Sequence, residues 1–302
     1  METTRKKRTP FRCFEKPTVF RFAFVVLLAG CAAGAPPPGT SPFALMGDTP
    51  YSEGEVRRVE SLIDDLNAGE LAFVAHVGDI TSGQGPCTDA WFEARKQQFA
   101  RIRHPFILLP GDNDWTDCHR SGFDPMERLA KWRALFCYPE KSFGATKIRL
   151  ARQAGEYCEH LRWEHEGLLF VALNVQGSNN NLGRTAAMDA EYEHRMAAVF
   201  EWLDQSIALA ESRGAMAVVL MQADPFKRRS PDGFARLRNV LAEDAKWLKG
   251  RLVLVHGDTH IYRDDEPLPG LRRIEVWGSR FVSWLRGSVV AGELRVESAA
   301  QH

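Results

Sequence analysis

The sequence predicts an α/β fold, a four-layer αββα sandwich in which two mixed β-sheets pack together and helices flank them. Three observations predict it. From Phe43 onward, short apolar runs alternate with segments of helical period, the signature of α/β layering. After residue 271 the pattern changes to short strands without helices, which need partners in a second sheet. Several apolar runs also end in Gly-Asp, at the strand ends where open α/β sheets gather ligands.

Strands are expected at 43–47, 71–77, 105–109, 168–174, 216–221 and 251–256. Between the first two, Val56, Val59, Leu62, Ile63 and Leu66 recur at helical spacing. Asp124-Pro125 supplies an N-cap and a first-turn proline for a helix running to Phe136. The longest helical stretch, about 185–212, stops before Gly214, a good residue for a helix end. Trp91, Trp132, Trp202 and Trp247 fall in helical stretches, where core packing is the default. Glu164-His165-Glu166-Gly167 reads as a hairpin turn, and late strands are expected at 274–277, 281–285 and 293–296, together suggesting a second sheet.

Ahead of this domain, 1–30 reads as a signal peptide with a lipobox. A basic stretch runs into the apolar Phe22 to Leu28, too short to span a bilayer, and Leu28-Ala29-Gly30-Cys31 looks like a bacterial lipobox with Cys31 as the lipidated residue. An ordinary secretory signal cleaved near Ala33 or Ala35 is the alternative, and a retained membrane anchor is a third. All three put the domain outside the cytoplasm; the lipobox implies a lipid-anchored membrane protein facing the periplasm. Residues 31–42, rich in proline and poor in apolar side chains, read as a flexible linker, leaving 43–302 as one domain.

The first 30 residues hold seven of the 39 basic residues and two of the 39 acidic ones, so the remainder carries a formal charge of −5. That balance excludes nucleic acid as a partner. Beyond Cys13 and Cys31, Cys87, Cys118, Cys137 and Cys158 form an even set, which in an oxidising compartment favours two disulfides. Four cysteines allow three pairings, and none has the Cys-x-x-Cys spacing of a thiolate zinc site.

The chemistry sits in Met46-Gly47-Asp48, Val77-Gly78-Asp79, Pro110-Gly111-Asp112-Asn113-Asp114 and His256-Gly257-Asp258-Thr259-His260, with a fifth run ending in Met221-Gln222-Ala223-Asp224. A single Gly-Asp is ordinary turn and capping chemistry. Repetition at strand ends converges oxygen ligands on one place and points to a metal site.

In order and spacing these runs resemble the calcineurin-like metallophosphoesterases, whose pattern is strand-Asp, strand-Gly-Asp, Gly-Asn-His-Asp/Glu, a later His and Gly-His-x-His. The resemblance extends from about residue 43 to the end. It implies that Asp48 is a first-metal ligand, with Pro50 where the family has histidine, and that Asp79 bridges two metals. It places Asp112 at the family's ligand asparagine and Asn113 at its catalytic histidine, although a shift in alignment would make Asn113 the ligand. Gln222, or less directly Asp224, takes the place of the fourth histidine; Asp258 replaces the first histidine of the last pair, and His260 keeps the second.

Carboxylate and amide oxygens suit manganese, magnesium or calcium better than imidazole-loving zinc or iron. The expected cofactor is therefore one or two divalent ions, manganese or magnesium, with iron or zinc as the alternatives. The resemblance implies a metal-dependent hydrolase of small-molecule phosphoesters, with in-line attack of activated water between ions about 3.5–4 Å apart. Asn113 could donate to phosphate but cannot protonate a leaving group, so good leaving groups should react best. The competing reading is a non-catalytic, metal-binding or degenerate member of the cell envelope, since a fold does not guarantee activity. A calcium site that only supports structure is a third.

Other residues carry less. His76 and His256 lie in apolar strands and read as core histidines; Trp115 either walls the cleft or fills a loop core. Asn174 and Gly177 to Asn181 could rim the site, with turn chemistry as the simpler account. Lys227-Arg228-Arg229 reads as solvated surface or, as a minority reading, phosphate attraction.

Overall fold

A computed structural model describes residues 41–137 and 140–299. The signal peptide, Cys31 and the linker up to residue 40 lie outside the described residues. Among those described, no helix is long and apolar enough to cross a membrane.

The chain runs β1 (Phe43–Met46), α1 (Glu53–Ala68), β2 (Val74–His76), α2 (Asp89–Phe99), β3 (Phe106–Leu108), a 3₁₀ segment (Thr116–Ser121), α3 (Pro125–Phe136), β4 (Ala151–Arg152), β5 (Leu161–His165), β6 (Leu168–Ala172), the one-turn α4 (Gly177–Asn180), α5 (Ala186–Ser212), β7 (Met216–Leu220), α6 (Ala235–Trp247), β8 (Leu252–His256), β9 (Arg263–Leu268), β10 (Leu271–Glu275), β11 (Leu285–Val290) and β12 (Glu293–Ser298). Helix starts follow the expected chemistry. Ser52 caps α1, Asp124 caps α3 with Pro125 behind it, and Thr185 caps α5.

One sheet has the order β12-β11-β1-β2-β3 and the other β4-β5-β6-β7-β8-β10-β9. β1, β2 and β3 are parallel, as are β6, β7, β8 and β10. Both sheets are mixed, because β11 and β12 join the first antiparallel and β4, β5 and β9 join the second antiparallel. The hairpin at Glu166-Gly167 joins β5 to β6 with both residues at positive φ, as that turn requires.

Strand alternation builds the layers. Phe43 and Leu45 of β1 face Phe170, Val218 and Val253 between the sheets, whereas Ala44 and Met46 face α1 and α2 through Leu62, Ile63 and Phe92. A third cluster, with Val199, Leu203, Leu237 and Leu241, seals the second sheet under α5 and α6. Helix, sheet, sheet and helix thus stack in four layers.

The late strands find their neighbours in both sheets: β9 and β10 extend the second sheet, while β11 and β12 return to flank β1. The strand expected at 281–285 begins only at Leu285. Val282 and Trp284 are buried because they pack against the α1 cluster, and Trp284 Nε1 donates to Asp65 at 2.9 Å, so their apolarity reflects packing of irregular chain.

The four domain cysteines pair as Cys87–Cys118 and Cys137–Cys158. The first bridge ties the segment after β2 to the 3₁₀ segment after β3, and both sulfurs lie beside the Asn113 carbonyl, at 3.6 and 3.4 Å.

Candidate metal centre

Parallel pairing carries the ends of β1, β2 and β3 to one edge, where the chain turns sharply after each strand. Asp48, Asp79, Asp258 and His260 all have positive φ, at 49°, 61°, 76° and 69°. Non-glycine residues held there are uncommon and cluster where surrounding contacts fix them for a purpose. Two glycines make room: a Cβ on Gly111 would stand 2.0 Å from Asp79 Oδ1, and one on Gly257 would stand 1.9 Å from Asp48 Oδ2.

The two sheets meet through these side chains. The Asp258 N–H donates to both oxygens of Asp48 at 3.1 Å, and the Asn113 N–H donates to Asp79 Oδ1 at 2.9 Å. Asp114 accepts from the N–H groups of Ile80, Gly111 and Asp79 at 2.8, 2.8 and 3.0 Å, clamping the β2 and β3 turns together. Sequence reading passed over Asp114. Its sign was a carboxylate two residues past Asp112, in a loop whose backbone donors have no strand partner.

Asp48, Asp79, Asp112, Asn113, Gln222, Asp258 and His260 therefore gather at one end of the two sheets, while Cys31 lies outside the described residues. The acids are crowded. Burial, then Asp258, pushes Asp48 well above the usual carboxylate range. Burial, then Asp112, does the same to Asp79. Burial, then Asp258, lifts Asp112 to about 8. No lysine or arginine forms an ion pair with Asp48, Asp79 or Asp112 among the described residues.

Whether a cation fits differs between the two sides of Asp79. On the side of Asp48 and His260, the Tyr51 hydroxyl fills the space: it lies 2.9 Å from Asp79 Oδ2, 3.2 Å from His260 Nε2 and 3.4 Å from Asp48 Oδ1. Burial, then Asp79, raises the Tyr51 pKa well above 10, so the phenol keeps its proton. An ion there would require Tyr51 to leave. Tyr51 was missed in the sequence because Pro50 holds the position where a histidine was sought.

On the other side of Asp79, toward Asp112 and Asp258, three carboxylates converge. Their only basic partner among the described residues is Lys227, which reaches Asp258 Oδ2 at 2.9 Å. Buried carboxyls whose ionisation is opposed in this way become anionic ligands when a hard divalent ion with oxygen preference is present. In no group of three do the site's carboxylate and imidazole ligand atoms all stand within 4.8 Å of one another, so gripping an ion would draw the side chains inward. Among the described residues the one group that meets that distance, Cys137, Cys158 and Glu159, offers no thiolate because its cysteines are bonded to each other.

Gln222 departs from the expectation of a ligand oxygen. Its Oε1 is taken by the Gly177 N–H at 2.6 Å, which turns Nε2 toward Asp79 Oδ2 at 3.1 Å and Asp48 Oδ1 at 3.4 Å. As placed it is a donor to the acids. Asp224, the substitute considered for it, accepts from the Phe226 N–H and pairs with Arg263 and Arg273.

The remaining candidates sort by burial. His76 and His256 are core residues held down to about 4 by burial, hence neutral at pH 7. Trp115 is fully buried under the Arg195 guanidinium, 5.5 Å from its ring, so it fills a loop core and does not wall the cleft. Ser178, Asn179, Asn180 and Asn181 form a left-handed run with φ of 46°, 59°, 56° and 70°. Buried Arg195 pins it by donating to Asn180 Oδ1 at 2.7 Å and to the Asn180 carbonyl at 3.0 Å.

No known family model matches the chain, and no curated protein matches it. Solved structures do. A dimetal phosphatase from Danio rerio superposes with a TM-score of 0.58 at 10% identity, covering 86% of this chain and 96% of that one. GAP50, the anchor in the inner membrane complex of Plasmodium, gives 0.54 at 10% identity over 87% and 85%. A purple acid phosphatase from yellow lupin, Lupinus luteus, gives 0.51 at 11% identity over 86% of this chain and 51% of its own length. With its paired mixed sheets and its acids at successive strand ends, the chain has the calcineurin-like metallophosphoesterase fold.

Proposed function

We propose that this chain is a metal-dependent phosphoester hydrolase that works with a single divalent ion on the Asp79, Asp112 and Asp258 side of the cleft. The observation that carries the proposal is the burial of Asp79 and Asp112 with no lysine or arginine paired to them among the described residues. Oxygen donors make manganese or magnesium the preferred ion. When bound, such an ion supplies an activated water and neutralises charge on phosphoryl oxygens.

The chain's own residues do the rest. Asn113 holds Asp79 in place through its backbone N–H. Its side-chain amide is available to donate to a phosphoryl oxygen. Lys227 stands half-exposed at the mouth and adds attraction for an anion. Because Asn113, which replaces the family's catalytic histidine, cannot protonate a leaving group, esters of good leaving alcohols such as aryl phosphates are the best substrates.

A specific observation favours a second reading, that of a non-catalytic envelope protein. Tyr51 and Gln222 together direct neutral donors at Asp48 and Asp79, which satisfies those oxygens without a cation. GAP50, described as an anchor, shares the fold at low identity. The two disulfides support a site outside the cytoplasm, with Cys31 as the lipid attachment, since such bridges persist in oxidising compartments.

The test is hydrolysis of an aryl phosphate and an aryl phosphodiester with added manganese, for the native chain and Asp79→Ala. Turnover lost in Asp79→Ala is the expected result. Equal rates in the two proteins would remove the hydrolase reading and leave the second.

A further inference from the structure

We propose that an arginine-lined cavity beside the acidic centre binds a second phosphoryl group, so that the site takes small molecules carrying two phosphates. The first phosphate's place rests on the hydrolase reading above; the second phosphate's place rests on the cavity alone. Its volume is about 290 Å³, and His119, Arg120, Ser178, Asn179, Arg184 and Arg229 line it.

Charge makes the case. Three guanidinium groups face this space, and the carboxylate that meets them is Asp117, buried, 2.8 Å from Arg120 Nη1 and 3.5 Å from Arg184 Nη1. On α5, Asp189 is turned to the Gly183 N–H at 2.6 Å, and Glu191 is turned to Asn181 Nδ2 at 2.7 Å and to Arg195. Arg229 is exposed and forms no ion pair among the described residues. Arg184 Nε is buried without a partner, an N–H left over for an oxygen ligand. An excess of guanidinium over carboxylate matches a phosphate near −2 better than a single carboxylate, and the planar fork of arginine suits its oxygens.

The rim of the cavity borders the acidic centre. Ser178 Oγ donates to Asp117 Oδ2 at 2.7 Å, and at the preceding residue a Cβ on Gly177 would stand 2.7 Å from Asp112 Oδ2. Above Gly83, the point a Cβ would occupy is 2.9 Å from Arg120 Nη1 and 3.0 Å from Asn113 Oδ1, so Arg120, which lines the cavity, lies close to the residue offered to the first phosphate. The left-handed run that presents Ser178 and Asn179 is locked by Arg195 before any ligand arrives. A rigid rim of this kind costs a ligand little ordering.

Calorimetric titration of the full chain with magnesium present throughout, using inorganic pyrophosphate and orthophosphate, tests the proposal. Pyrophosphate is expected to bind at least about tenfold tighter, and Arg229→Ala, an exposed change that spares the fold, to weaken it about tenfold. Arg57→Ala, on the exposed face of α1, serves as a control and should leave binding unchanged. Pyrophosphate binding no tighter than orthophosphate, or equal in the native chain and Arg229→Ala, would overturn the proposal. The measurement needs no turnover: a chain inert toward aryl phosphates but with Arg229-dependent pyrophosphate binding loses the hydrolase reading and keeps the cavity. An active chain indifferent to Arg229→Ala does the reverse.

Discussion

Both sheets send strand ends into the same cleft, but they equip it in opposite ways. On the side of β1, β2 and β3, Asp48, Asp79, Asp112 and Asp114 are buried carboxyls, all but Asp112 seated on backbone N–H groups, and among the described residues no lysine or arginine pairs with the first three. On the side of β7 and β8, Gln222 offers a donor, Asp224 is held by two arginines, and Asp258 is held by Lys227. On one side burial and crowding oppose ionisation of the carboxyls; on the other, bases neutralise them. A ligand-type residue at a strand end is therefore not yet a ligand, because its hydrogen-bonding capacity must still be free.

The largest expected difference between the two sides is in stability. Asp114→Ala strands three buried N–H groups, each worth about 1–3 kcal/mol when left unpaired, so urea denaturation should show a loss of at least about 3 kcal/mol. Asp258→Ala removes a carboxylate whose charged partner is half-exposed, and should lose under about 1 kcal/mol. Comparable losses in the two variants would break the contrast between a built acidic wall and a loosely held one.

Much of this side was legible in the sequence. Strand ends, the Asp124-Pro125 helix start and the repeated Gly-Asp turns are local patterns, and parallel pairing of β1 to β3 brings the turns together without further information. What was not legible depends on contacts far apart in the chain. Gln222 is reversed by the N–H of Gly177, 45 residues away; β11 pairs with β1 from the far end of the domain; Arg120 reaches the centre only by lying over Gly83. Tyr51 is near in sequence to Asp48 yet was hidden for another reason. The search was for a nitrogen ligand at Pro50, and a hydroxyl one residue later does a different job, filling the space with its own proton.

Gln222→His is the intermediate case and aims directly at the comparison. It removes the amide donor turned on Asp48 and Asp79 and supplies a lone pair in its place, at the expense of the acceptor for Gly177. Affinity for manganese, followed calorimetrically, should rise about tenfold, equivalent to about 1.4 kcal/mol, with a larger gain for zinc because imidazole suits it. No gain for either metal would mean that the β7 side is closed to cations for a reason other than the orientation of this amide.

The smallest effect belongs to Lys227, and its salt dependence is what makes it informative. The ammonium group competes with a cation for Asp258, so Lys227→Ala should tighten manganese binding by roughly two- to threefold at low ionic strength. Because the lysine is half-exposed, the gain should shrink toward nothing as salt screens it, whereas the effect of Gln222→His, made by a buried group, should persist. Lys246→Ala, in the last turn of α6, controls for the change in net charge. A gain that survives high salt would mean that Lys227 holds Asp258 out of position by geometry, and the second side would then be locked in the same manner as the first.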